Sequence, residues 1–477
     1  MLFDTIAAIS TPMGKGGVAI IRISGPDARA IAHKIFVPKS QKPLDGHPPR
    51  TAVYGNVLDP DTPGEIIDDG LCTIFPAPHS FTGEDTVEIA CHGGILVTQS
   101  VLTACLVAGA RQALAGEFTR RAYMNGKLRL PEAEALGDLL EAGNREQLKL
   151  ARSGMAGHLT TAMESAYSRL LSVLANMEAG MDFPEEDLTE MPREDMESRL
   201  SQVLTELKAL KNTYRTGHAI AEGIPTVIVG RPNVGKSALY NTLVGRDAAI
   251  VTDIAGTTRD VLSETVSLGK VTLRLSDTAG LRDTADVVEQ IGVERARAAL
   301  EDAELVLALF DGSCPPTDED IDLLTTLSAM SKSGKNVLYM LTKQDLIQPE
   351  HIPFFTPRVT QFGLGYILLS TKSNLSGWDA HALTVPETLT AVLEQMFIDG
   401  QLDTGESAIV FNARQHASLV AACNALETAL ASLAYGLPYD ICAEDLIAAL
   451  TALGDLLGRT IREEVISEIF SKFCIGK

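Results

Sequence analysis

No two of the seven cysteines stand in a Cys-x-x-Cys pair, which excludes zinc-knuckle and thioredoxin-type motifs. They are scattered at positions 72, 91, 105, 314, 423, 442 and 474, and a chain this long needs no disulfides to hold a core. No apolar run approaches the ~20 residues of a membrane span. The opening Met1-Leu2-Phe3-Asp4-Thr5 carries an acid where a signal peptide has basic residues. Positive charge is scarce: 40 Lys and Arg against 62 Asp and Glu leave 40 − 62 = −22. That excludes nucleic-acid binding driven by overall charge and leaves a local basic patch, or one borrowed from a partner. No repeat of 20–50 residues and no low-complexity tract interrupts the chain. These absences predict a reducing, cytoplasmic setting with no membrane attachment.

What is present is ordinary globular composition, 45% hydrophobic and 21% charged over 477 residues, which argues against a wholly disordered or collagen-like chain. At roughly 100–200 residues per domain, two to four domains are expected. Three textures divide the sequence. Residues 1–125 mix β-type runs, Val18–Ile23 and Thr86–Ala90, with turns, and the Pro/Gly/Asp-rich stretch 38–70 reads as loops. From Pro131 to about 215 the period becomes helical, with Leu136, Leu139 and Leu140 on one face and an acid-rich connection at 182–187. Helical patterning returns over 406–477, where Leu446, Leu450, Leu453 and Leu457 form one stripe. Ile461, Val465 and Ile469, with Phe470 and Phe473, form another. Between the helical blocks, short apolar strands alternate with helical stretches over 220–380, the signature of a parallel α/β sheet. An α/β domain is thus inserted into a helical one.

The sharpest motif is Gly230-Arg-Pro-Asn-Val-Gly235-Lys236-Ser237, preceded by a β-run and followed by a helical stretch. Glycines there let backbone N–H groups face phosphate oxygens, and the helix N-terminus adds positive potential. Lys236 pairs with the β- and γ-phosphates and Ser237 offers its hydroxyl to Mg²⁺. Asn233, Val234, Gly235 and Ala238 complete the phosphate loop. The segment Thr252-Asp253-Ile254-Ala255-Gly256-Thr257-Thr258 can cover the γ-phosphate. Asp277-Thr278-Ala279-Gly280 after an apolar strand matches a Walker-B-type aspartate with a γ-phosphate-sensing glycine. Thr342-Lys343-Gln344-Asp345 and Ser370-Thr371-Lys372 also follow strands. Asp345 can accept from two guanine N–H groups, which adenine lacks, and the second segment can donate to O6. Each of these downstream motifs is weak alone, but their order and spacing predict GTP as the nucleotide. Two departures stand out. Thr342 occupies the place of the usual Asn in N-K-x-D, and Leu281 the place of the water-orienting glutamine.

These residues resemble the MnmE (TrmE) family of tRNA-modifying GTPases, and the match runs essentially end to end. It is carried by Asp4–Ala8, Gly16–Val18, Arg22–Gly25, Phe81–Asp85, Gly116–Thr119, the GTPase motifs and the ending Phe473-Cys474-Ile475-Gly476-Lys477. The resemblance implies a multidomain fold: an α+β N-terminal folate-binding and dimerisation domain (1–125), a discontinuous all-α helical domain (126–216 and 385–477) and an inserted α/β Ras-like P-loop GTPase domain (217–384). It implies a homodimer and a potassium-activated GTPase. With the FAD-dependent partner MnmG (GidA), as a heterotetramer, such a protein adds an aminomethyl or carboxymethylaminomethyl group at C5 of the wobble uridine of certain tRNAs. A 5-formyl- or 5,10-methylene-tetrahydrofolate serves as cofactor.

Mapped onto this chain, the resemblance makes Asn233, Thr252, Ile254 and Thr257 the potassium ligands, with Ser237 and Thr258 on Mg²⁺. Glu289 becomes the acid that positions water; read without the family, it is a solvated helix-face acid. Arg22, Glu88, Lys127 and Lys477 become the folate site; without the family, Arg22 and Lys127 are surface charges. Cys474 has two readings: a direct part in the modification chemistry, or a small apolar residue packed behind Phe470 and Phe473. His92 beside Cys91 lacks the ligand number for zinc and reads as a structural turn. Arg120, Arg121, Lys127 and Arg129 form a local basic candidate for tRNA. The rival readings are a ribosome-assembly GTPase of the Era or Der kind, a regulatory switch without modification chemistry, and a folate protein that leaves 230–372 without purpose.

Overall fold

The computed structural model describes residues 4–40, 42–182, 191–247, 263–276, 300–343, 346, 366–368, 385–398, 400, 402, 404–460 and 462–476. Thirteen strands are described. They are β1 (Ile6–Ile9), β2 (Ala19–Ser24), β3 (Phe36–Pro38), β4 (Val53–Leu58), β5 (Ile66–Phe75), β6 (Thr86–Cys91) and β7 (Arg111–Gln112), then β8 (Ile224–Val229), β9 (Ser263–Leu268), β10 (Val271–Ser276), β11 (Leu305–Asp311), β12 (Asn336–Thr342) and β13 (Tyr366–Leu368). The helices are α1 (Ala28–Ile35), α2 (Ile95–Val107), α3 (Glu117–Met124), α4 (Leu130–Glu141), α5 (Arg145–Met155), α6 (His158–Asp182), α7 (Arg193–Asn212), α8 (Tyr214–Ala221), α9 (Lys236–Asp247), α10 (Asp318–Lys332), α11 (Val385–Phe397), α12 (Ala413–Ala434), α13 (Tyr439–Leu457) and α14 (Glu463–Ser471).

The chain divides into two compact units: 1–140 with 154–200 and 424–477, and 141–153 with 201–423. In the first, a seven-stranded sheet runs in the order β3-β4-β5-β6-β2-β1-β7. All its pairings are antiparallel except β1 with β7. Period-2 patterning sends Ile21, Ile23, Val57, Cys72, Val87 and Ile89 into one core with Ile31 and Ile35 of α1 and Val101 and Cys105 of α2. Each such aliphatic side chain contributes on the order of 1.5–3 kcal/mol by leaving water. The stretch 38–70 is a correction to the sequence reading. It contains β4 and the start of β5, while 39–40, 42–52 and 59–65 are turns and loops with one 3-10 turn at Leu44–Gly46. In the same unit, α6 buries Leu159, Met163, Ala166, Leu170, Val173 and Met177. Their alternating spacing of four and three is that of a coiled-coil seam. It packs on α13, where the predicted stripe Leu446, Leu450, Leu453 and Leu457 is buried.

The second unit holds the six-stranded sheet β13-β12-β11-β8-β10-β9, parallel except at β9–β10. All seven residues of β11 are buried, so the strand needs cover on both faces. Leu305, Leu307 and Leu309 meet Leu239 and Leu243 of α9 and Leu389 and Leu393 of α11. Val306, Ala308 and Phe310 meet Leu324 and Leu327 of α10 on the other side. A capping box starts α10: Thr317 Oγ1 accepts from Asp320 N–H, and Thr317 N–H donates to the Asp320 carboxylate at 2.9 Å. Among the described residues one helix, α12, is long and apolar enough to cross a membrane, and 39% of its apolar window is buried within the fold.

Candidate functional sites

The phosphate loop leaves β8 at Val229 and enters α9 at Lys236. Three left-handed residues bend it, Gly230 (φ +150°), Asn233 (φ +61°) and Gly235 (φ +107°). A Cβ on Gly230 would stand 2.5 Å from the Leu309 carbonyl, so the loop passes β11 closely enough to require glycine. Val234 is wholly buried and pins the loop to the core, while Asn233 and Ser237 are exposed and Ala238 is half-buried. Lys236 Nζ donates to the Gly230 and Arg231 carbonyls at 2.7 and 2.9 Å, curling over the cradle a phosphate would fill. Burial lowers the pKa of that ammonium, a cost that an anion in the cradle would offset.

Thr342, standing where Asn is usual, closes the loop from behind. Its buried hydroxyl has the Val234 carbonyl at 2.7 Å and the Phe310 carbonyl at 3.1 Å. The departure from Asn gives no hint of this tie in the sequence, because Val234 is 108 positions away. Lys343 follows in the left-handed region (φ +57°). The other nucleotide-side residues (Thr252, Asp253, Ile254, Ala255, Gly256, Thr257, Thr258, Asp277, Thr278, Ala279, Gly280, Glu289, Asp345, Ser370, Thr371 and Lys372) lie outside the described residues, as does Lys477.

A second cluster occupies the antiparallel sheet. Arg22 on β2 faces Glu88 on β6 directly across the strands. Both Nε and Nη2 of Arg22 reach Glu88 Oε1 at 2.9 Å. The guanidinium also lies over the rings of Phe81 and Phe118, 5.6 and 5.7 Å from their centroids. The pairing accounts for an acid inside an apolar strand. Lys127 Nζ donates to the Pro78 carbonyl at 3.1 Å. The end of the chain returns to this unit. Ile475 bridges Ala115, Gly116 N–H donates to the Cys474 carbonyl, and Ser10 Oγ donates to the Gly476 carbonyl at 3.0 Å. Cys474 is exposed, not packed behind Phe470 and Phe473.

The basic candidate for tRNA changes. Arg121 is 2% exposed and spent on acids: Asp4 Oδ1 at 2.7 Å, Glu117 Oε1 at 3.1 Å and Glu84 Oε2 at 3.2 Å. Arg111 reaches Asp4 and Glu117 at 2.6 Å as well. Its hydrogen bond holds the Asp4 carboxyl below the usual carboxylate range. For Glu117, burial works upward, but Arg111, the Leu114 N–H and Arg121 outweigh it and the carboxyl is lowered. Arg129 is drawn to Glu164 at 3.5 Å. Asp68, Asp69 and His92 bring potential ligand atoms within 4.8 Å of one another. His92 N–H and Nδ1 each lie 2.8 Å from an Asp68 oxygen, so the histidine ties a turn to β5.

A glycine-rich cradle at the carboxyl ends of a parallel sheet, with a helix N-terminus beneath it, binds nucleotide phosphates. Together with the base-side motif after β12, it defines a P-loop GTP hydrolase. Comparison with known proteins sharpens this. A family model for the GTP-binding protein TrmE N-terminus matches residues 5–127, and one for the MnmE helical domain matches residues 130–474. The "tRNA modification GTPase MnmE" of Carboxydothermus hydrogenoformans is 39% identical over 477 residues, 100% of both chains. Its counterpart from Geobacillus thermodenitrificans is 40% identical, over 100% of this chain and 99% of that one. Era from Aquifex aeolicus bound to GDP and AlF4⁻ aligns at 22% identity and TM-score 0.27, over 42% of this chain and 65% of that one, too slight a likeness to build on. The chain belongs to the MnmE family of tRNA modification GTPases.

Proposed function

We propose that this protein is a potassium-activated GTPase. As a homodimer, and in a heterotetramer with the FAD-dependent MnmG, it carries out folate-dependent addition of an aminomethyl or carboxymethylaminomethyl group at C5 of the wobble uridine of certain tRNAs. The observation that carries the reading is the presence, in one chain, of two separate sites: the phosphate cradle and the Arg22–Glu88 pair. A switch needs only the first and a folate carrier only the second. The domains assigned are 1–125, 126–216, 217–384 and 385–477, and the setting is cytoplasmic.

At the cradle, Mg²⁺ is held by Ser237, exposed at the head of α9, and by Thr258. Potassium is held by Asn233, exposed and left-handed in the phosphate loop, with Thr252, Ile254 and Thr257. The cation supplies the charge an arginine finger supplies elsewhere. Glu289 orients water in place of the missing glutamine. At the second site, Arg22 occupies only Oε1 of Glu88. Among the described residues Oε2 has no partner, which suits an acid that must accept from a pterin's N–H groups. Arg22, Lys127 and Lys477 suit the carbonyl and carboxylate oxygens, and exposed Cys474 stands available to the modification chemistry.

Hydrolysis of GTP in KCl and in NaCl of equal concentration, with Asn233→Ala alongside, tests the cation. Strong stimulation by potassium, lost in the variant, is expected; equal slow rates in both salts would sink the potassium site. Calorimetric titration of 5-formyl-tetrahydrofolate into the protein and into Glu88→Gln tests the second site. Unchanged affinity in the variant would remove Glu88 from it.

A further inference from the structure

The phosphate loop and the base-side segment share a carboxylate. Asp311 ends β11 and is 7% exposed. Its Oδ2 accepts from Lys343 Nζ at 2.6 Å and lies 3.7 Å from Arg231 Nη2, in the phosphate loop. Its Oδ1 accepts from the Ser313 N–H at 3.0 Å and from the Ser313 hydroxyl at 2.5 Å. Arg231 is steadied further by Cys314 Sγ at 2.9 Å and by the Asp320 carboxylate at 3.5 Å. Burial pushes the Asp311 carboxyl up, but Lys343 and Ser313 outweigh it and the group is held below its usual range. It is therefore a carboxylate at neutral pH, and it neutralises one cation from each half of the nucleotide site.

We propose that Asp311 is a positioning residue for guanine nucleotides, holding Lys343 on the base side and Arg231 on the phosphate side so that both halves of the site are set before GTP or GDP arrives. Without the carboxylate, Lys343 loses its acid and Arg231 keeps that of Asp320. Lys343 then regains rotamers that binding must freeze again. The loss falls on nucleotide affinity, because the hydroxyl of Thr342 and the glycines of the loop still shape the phosphate cradle.

The test is equilibrium binding of a fluorescent GDP analogue to the full chain, with thermal melting of the nucleotide-free protein alongside. Asp311→Asn should weaken GDP about tenfold, as expected for removing a charged hydrogen-bond partner. Asp311→Glu should recover part of that affinity. The double variant Asp311→Asn/Lys343→Met should lose clearly less affinity than the sum of the two single losses. A merely structural aspartate would lower the melting midpoint and leave GDP affinity within about twofold, which overturns the proposal. Fully additive losses in the double variant overturn it too, since the carboxylate would then not act through Lys343. If Asp311→Asn does not fold, Lys343→Met and Arg231→Met give the answer. Weakened GDP binding in both is expected, and wild-type affinity in both overturns the assignment.

Discussion

The antiparallel sheet and the parallel sheet solve the problem of holding charge in opposite ways. In the first, cations are paired with acids before any ligand arrives. Arg22 has Glu88, and Arg121 has Asp4, Glu84 and Glu117 around it, buried almost completely. In the second, the phosphate cradle itself is mostly backbone, and Lys236 rests on carbonyls of its own loop, with acid pairing confined to the flanking Arg231 and Lys343. A site made of side-chain pairs is rigid and costly to edit, because each deletion strands a buried partner. A site made of backbone is indifferent to most side chains and depends on a few.

The contrast is sharpest at Arg121. Arg121→Met leaves Glu84 without its guanidinium and Glu117 and Asp4 with that of Arg111, and a loss of about 3 kcal/mol is expected for breaking a buried network from one side. Urea unfolding followed by a probe in the first unit reads it; a loss below about 1 kcal/mol would mean the network is dispensable. Next is Lys236→Ala, which should cut GTP hydrolysis at least about 100-fold, the scale for removing one preorganised electrostatic group, while the urea midpoint holds. Turnover within about tenfold of wild type would break the comparison. Thr342→Val removes only a hydroxyl tie and should weaken GDP about fivefold, equivalent to one neutral hydrogen bond; unchanged affinity would show that the Thr342–Val234 contact does nothing for the cradle.

The smallest effect is one of pH. Asp4 and Glu117 have lowered carboxyls in the fold. A carboxyl whose folded pKa lies below its unfolded value contributes stability above the unfolded value and loses it as pH falls. The first unit should therefore weaken as pH drops below about 4.5, the ordinary Glu value. The decline should be shallower in Glu117→Gln, and parallel declines in the two proteins would remove these acids from the acid response.

Legibility in the sequence follows the same divide. The cradle was readable because its chemistry lies within eight consecutive residues, Gly230 to Ser237, in strand-loop-helix order. The parallel sheet was readable because β11 and β12, buried on both faces, are nearly unbroken apolar runs. β4 and β5 were not. Gly55 and Gly70 face each other across them, and a Cβ at either would collide with a neighbouring backbone carbonyl, Val37 or Ala90. Glycines demanded by close approach look, in sequence, like turn residues. Arg121 was read as part of a basic patch for tRNA because, apart from Glu117 one turn away, its acids Asp4 and Glu84 are 117 and 37 positions away. Nothing local announces a partner at that distance, and the same holds for the docking of residues 474–476.

That docking has a consequence in time. Ribosomes make the chain in numerical order, and Ser10 waits through 466 further residues for its partner Gly476. At roughly 5–20 residues per second the wait is about 25–90 s. Within it the strands of the parallel sheet are made, from Ile224 to Leu368, while Ser10 and the start of α3 lack the segment that closes over them. The sheet that carries the phosphate loop is thus complete in sequence before the segment that seals the first unit is made.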